Sequence, residues 1–125
     1  MKISVKQARE AYKKAGIEPQ TSCWFQKDFN GKCYGCLLTG LYMAQKQIDP
    51  QNVPMIYDSM PEHKFQDQVR CWANKKYGKL YSEGLIVGFD GDDAKDAKSF
   101  YTKQEWPKVK EGYVDGRRIA KLLCG

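Results

Sequence analysis

The sequence predicts a mainly α fold, a compact bundle of about five helices with a small β-hairpin near residues 23–35. Apolar residues recur at helical spacing in several segments that are bounded by capping and terminating residues. One Asn30-Gly31 pair, flanked by aromatic residues, is the favoured centre of a two-residue hairpin turn. Glycines at 84, 88 and 91, and again at 112 and 116, also repeat with helical periodicity. At about 100° per residue the first set falls within roughly 60° of arc and the second within roughly 40°, so two helices each carry a flat glycine face.

The first helix opens at Ser4, with Gln7 three residues on as in a capping box. It carries Val5, Ala8, Ala11, Tyr12 and Ala15 until Gly16 ends it. Residues 17–21 read as a connector, because Pro19 cannot continue a helix and drives Glu18 toward extended geometry. The hairpin follows, with Trp24 and either Phe25 or Phe29 expected to anchor it on the helices, since an isolated hairpin is marginal in water. Residues 35–47 are nearly continuous in apolar character and free of strand-like alternation, which predicts the central buried helix. Residues 48–58 hold two prolines and read as an ordered loop with Val53, Met55, Ile56 and Tyr57 tucked in.

Ser59 and Glu62 form a second capping-box pattern, and Phe65, Val69, Trp72 and Ala73 give one apolar face to a helix over about 60–77 that Gly78 ends. The fourth helix carries Leu80, Tyr81, Leu85, Ile86 and Phe89 with the first glycine face. A polar stretch with a helical turn leads to Pro107, which opens the last helix. Gly in a helix interior costs about 1 kcal/mol against Ala, so the glycines ask for a compensating gain. Close backbone contact supplies one, and Gly84, Gly88, Gly91, Gly112 and Gly116 are expected to form a helix–helix seam.

The 125 residues fit one domain, 1–125, large enough for a real core, and no apolar run approaches the length of a membrane span. The opening residues lack the pattern of a secretory signal, and the five cysteines are odd in number, both of which suit a reducing cytoplasm. The net charge of +6 is scattered along the chain, as on a solvated surface.

Candidate chemistry is sparse. Cys33 and Cys36, three apart, have the spacing of a redox or metal pair, but they follow a turn in a helical chain rather than a strand of a βαβ unit. A zinc site would draw on Cys23, Cys33, Cys36 and Cys71 or His63, in a spacing that matches no strong zinc motif. Small buried core side chains are the simpler reading of Cys36 and Cys71, and no metal or cofactor is expected. His63, the single histidine, reads as a solvent-facing first-turn residue. Asp90, Asp92, Asp93 and Asp96 resemble the start of a calcium loop, but Lys95 stands where that loop requires Gly; a negatively charged first helical turn explains them. On the last helix Arg117, Arg118 and Lys121 cluster as phosphate-binding residues would, although they also complement the helix C-terminus.

Three segments, Cys36-Leu37-Leu38-Thr39-Gly40-Leu41-Tyr42, Gly84-Leu85-Ile86-Val87-Gly88-Phe89-Asp90-Gly91 and Gly112-Tyr113-Val114-Asp115-Gly116-Arg117, resemble a recurring type of small uncharacterised bacterial or phage protein. The resemblance implies a compact helical domain and no activity, and it does not extend to Cys33. With no phosphate loop, paired carboxylates or nucleophile–base pair in view, the expected function is a cytoplasmic, non-catalytic interaction protein, a phage- or mobile-element-encoded inhibitor of a host protein. Its expected contacts are Arg117, Arg118, Lys121, Trp24 and Tyr57. The partner expected is another protein, not a membrane. Alternatives are a basic nucleic-acid-binding protein and a thiol-redox or zinc-binding protein.

Overall fold

The computed structural model describes residues 2–53 and 59–124; the side chains of residues 59–63 lie outside that description. Met55, Ile56 and Tyr57 of the expected loop therefore fall outside it, as do the Ser59–Glu62 capping pair and the His63 side chain. Among the described residues the fold is mainly α: six helices and a three-stranded sheet.

Helix α1 spans Val5–Ala15. Ser4 Oγ accepts from the Gln7 N–H at 3.1 Å and Gln7 Oε1 accepts from the Ser4 N–H at 2.9 Å, which satisfies two donors that a helix start leaves open. Gly16 then turns left-handed at φ 74°, and its N–H closes on the Tyr12 carbonyl. Ala8, Tyr12 and Ala15 are buried against α2, Leu37–Lys46, where the Tyr12 ring lies over Gly40 and its hydroxyl donates to the Gly35 carbonyl at 3.0 Å. Leu37, Leu38, Leu41, Met43 and Ala44 of α2 are buried, which makes it the centre of the core.

The connector after α1 contains a strand. β1, Glu18–Pro19, pairs in parallel with β3, Cys33–Gly35, and β2, Phe25–Lys27, pairs with β3 antiparallel, giving the order β1-β3-β2. Pro19 is tolerated because β1 is an edge. The hairpin register pairs Lys27 with Cys33 and Phe25 with Gly35. Its turn differs from the expected two-residue Asn-Gly type. Among the described residues, Ser22 and Gln47 are the non-glycine positions at positive φ, so Asn30 does not take the left-handed conformation that turn requires; Gly31 does, at φ 81°. The result is a longer connection closed by Asp28 and Lys32. Phe29 is consequently no anchor and is fully exposed. Phe25 fills that role, edge-on to Phe65 at 6.0 Å.

After a 3-10 turn at Pro50–Asn52, α3 runs Ser59–Tyr77, α4 Lys79–Phe89, α5 Ala94–Lys98 and α6 Trp106–Leu123. Ser82 Oγ donates to the Ala73 carbonyl at 2.9 Å and ties α4 to α3. α4 and α6 are the most closely packed helix pair, and glycine is the reason. A Cβ on Gly84, Gly88 or Gly112 would run into the backbone carbonyl oxygen of Val109, Tyr113 or Tyr81, and one on Gly116 would lie 2.5 Å from that of Leu85. Backbone meets backbone along two turns of each helix, at the approach where Cα–H groups contact facing carbonyls. Gly91 does not belong to this seam. It sits past the end of α4 at φ 80°, with no neighbour within 4 Å of a Cβ. There its N–H bonds to Gly88 and that of Asp92 to Val87, a left-handed helix stop.

One buried polar knot fastens the N-terminal segment across this pair. Tyr81 on α4 accepts from the Ile3 N–H at 2.9 Å and donates to Asp115 Oδ2 on α6 at 2.5 Å, and Arg118 pairs with the other Asp115 oxygen at 3.2 Å. Burial, followed by the bond to Asp115, pushes the Tyr81 hydroxyl well above its ordinary pKa.

Candidate functional site

The tip of the hairpin is unusually well braced for a surface turn. Asp28 Oδ1 accepts from the N–H groups of Asn30 and Lys32, both at 2.9 Å, while the Asp28 N–H donates to the Lys32 carbonyl at 2.9 Å. The Tyr34 hydroxyl donates to Asp28 Oδ2 at 3.3 Å. From the 3-10 turn, Gln51 Nε2 donates to the Gly31 carbonyl at 2.8 Å, and Lys27 Nζ reaches back to the carbonyls of Gln51 and Val53 at 3.3 and 3.4 Å. Every one of these bonds goes to the turn's frame. Phe29, in the middle, is 105% exposed.

The expected contact residues do not form one site. Arg117, Arg118 and Lys121 lie together on the outward face of α6, beside the exposed Val114 and Leu122 and the edge of Tyr113. Trp24 instead stands at a separate small cavity of about 90 Å³ between the loop before β2, the start of α2 and the end of α4, with the Arg70 guanidinium 5.4 Å from its ring centre. Tyr57 lies outside the described residues.

That cavity is the place where thiol chemistry would have to run. Cys36, the residue that begins α2, lines it together with Cys23, Ser22 and Asp90. A helix N-terminus favours a thiolate, but burial dominates here and pushes the Cys36 thiol up, against the Thr39 hydroxyl contact at 3.4 Å and hydrogen bonds from the Thr39 and Leu38 backbone. Burial likewise raises the Asp90 carboxyl, against the Ser22 N–H that it accepts at 2.9 Å. Cys33 faces elsewhere: its thiol donates to the Gly31 carbonyl at 3.4 Å, and burial raises it too. Cys33 and Cys36 thus have different neighbours and stay protonated at neutral pH. Cys71, expected to be buried, is exposed on α3. Among the described residues no three His, Cys, Asp or Glu side chains are placed to share a metal ion, so Cys23, Cys33, Cys36 and Cys71 do not converge. Asp93 caps α5, accepting from the Lys95 and Asp96 N–H groups.

Comparison with protein-family models, with curated proteins and with solved structures found no match. No described helix is long and apolar enough to cross a membrane.

The sequence leaves the hairpin anchor open between Phe25 and Phe29, and Phe25 takes it. The signal was present in Asp28-Phe29-Asn30-Gly31, where an Asp at the start of a turn and a Gly in its left-handed position assign the residue between them to the turn rather than to a strand.

Proposed function

We propose that this chain is a non-catalytic interaction protein that works in the cytoplasm by occupying a partner protein's surface, as a phage- or mobile-element-encoded inhibitor of a host protein would. The observation that carries the reading is Phe29, fully exposed on a turn held from both sides. Burying a Phe side chain is worth about 1.5–3 kcal/mol, and the fold leaves that gain unused. A rigid mount means that a partner pocket could take the ring without first ordering the loop, the condition under which one aromatic residue becomes a dominant contact. The raised thiols and the absence of a converging ligand set among the described residues favour recognition over thiol or zinc chemistry.

The test uses a photo-crosslinking amino acid at Asn30, beside the ring, in cells of the host. The reading expects a discrete crosslinked protein that disappears when Phe29→Ala is combined with the same crosslinker, while the melting temperature of the purified chain stays the same. Capture that ignores Phe29→Ala would overturn it.

A further inference from the structure

The outward face of α6 combines two features that a solvated helix face does not need together. At about 100° per residue, Lys110, Val114, Arg117, Arg118 and Lys121 fall within roughly 100° of arc, opposite the glycine face. Val114 is 50% exposed and Leu122, two turns on at the edge of the same face, is 59% exposed. Both line a shallow groove together with Tyr113, Arg117, Arg118 and Lys121. Arg118 is turned toward Asp115, but neither Arg117 nor Lys121 has an ion pair among the described residues. Glu111 is the carboxylate at the edge of this face, and Asp115 points inward to Tyr81.

We propose that this face docks an acidic amphipathic helix of a partner protein. Val114 and Leu122 stand eight residues apart, about 12 Å along the axis, so they meet apolar side chains two turns apart on a helix laid along α6. Glutamates along one flank of that partner's apolar stripe complement Lys110, Arg117 and Lys121, which line one side of Val114 and Leu122. A second copy of this chain fits poorly, because pairing α6 with itself about a two-fold axis brings Arg117, Arg118 and Lys121 against their own counterparts. A nucleic-acid backbone would use the cations but leave exposed Val114 and Leu122 without an apolar partner. The proposal rests on the reading of the chain as a protein-binding module, and it uses a surface distinct from Phe29.

The experiment is fluorescence anisotropy on the full chain with three labelled probes. One is an amphipathic peptide of three heptads with Leu at the a and d positions and Glu at e and g. The second is its isomer of identical composition with the leucines dispersed, and the third a thymidine 20-mer. The expected result is binding of the amphipathic peptide at least tenfold tighter than either other probe. Arg117→Ala/Lys121→Ala and, separately, Val114→Asp should each weaken it tenfold or more, with unchanged circular dichroism, and Phe29→Ala should leave it intact. Equal binding of the two peptides, tighter binding of the oligonucleotide, indifference to both sets of substitutions, or no binding would each overturn the proposal. Those failures leave the Phe29-dependent crosslink at Asn30 untouched, so the two readings fall separately.

Discussion

Helix α6 has two faces built on opposite principles. Its inner face at Gly112 and Gly116 has no side chains, so the α4 backbone comes close enough to exclude even a methyl group. Its outer face at Val114, Arg117, Lys121 and Leu122 is crowded with long side chains and touches little of its own fold. Close packing is concentrated on the first face, and the proposed docking surface lies on the second. A substitution should therefore report the face it falls on: inner changes act on unfolding, outer ones on binding.

The largest expected effect belongs to the seam. Gly88→Leu and Gly116→Leu should each cost several kcal/mol in chemical denaturation, more than the 1–3 kcal/mol usual for overpacking, because the obstruction is a backbone carbonyl that cannot change rotamer. Leu122→Ala, on the outer face, should stay within about 0.5 kcal/mol of the parent. Comparable losses at the two positions would erase the distinction between the faces.

Next in size is the knot that links the faces through Asp115. Asp115→Ala strands the Tyr81 hydroxyl and the Ile3 segment that it holds, and should cost about 1–3 kcal/mol. Arg118→Ala removes a half-exposed partner of the same carboxylate and should cost less than about 1 kcal/mol. If the arginine matters more than the tyrosine contact, Asp115 belongs to the outer face rather than the inner one.

Much of this fold was legible because its signals are local. Ser4 with Gln7, Gly16, Gly78 and Pro107 mark helix ends by chemistry contained within a few residues, and the apolar run of 37–44 marks the buried centre. The glycine periodicity identifies a face, but not where the face stops. Gly91 keeps the angular phase of Gly84 and Gly88 while its φ of 80° ends the helix, and phase alone does not distinguish the two roles. β1 was legible only as extended geometry at Glu18: two residues containing a proline become a strand because α1 and Gly16 deliver them to β3. The two proposed recognition surfaces were half legible. The cations of α6 stand out in the sequence, whereas the exposure of Phe29 depends on the turn type and that of Val114 on which side of α6 the glycines occupy.

The smallest effect tests whether the Cys36 cavity belongs with the stabilising interior or is held open at some cost. Asp90 at its rim has a carboxyl pKa raised by burial above the usual 3.8, opposed by the Ser22 N–H. A raised pKa means that the folded state holds the proton more tightly than the unfolded chain does, so ionisation weakens the fold as pH rises through the carboxylate range. At neutral pH the charge is present and the folded state bears its desolvation. Asp90→Asn removes that charge and keeps an oxygen for the Ser22 N–H. The variant should melt slightly higher than the parent at pH 7, and the advantage should shrink as pH falls toward 3.8 and the parent's own carboxyl takes up its proton. Thermal melts at matched ionic strength across that range measure it. A variant that melts lower at pH 7 would mean that the ionised carboxylate is held by interactions stronger than its burial cost, and the cavity rim would then count with the seam as a stabilising region.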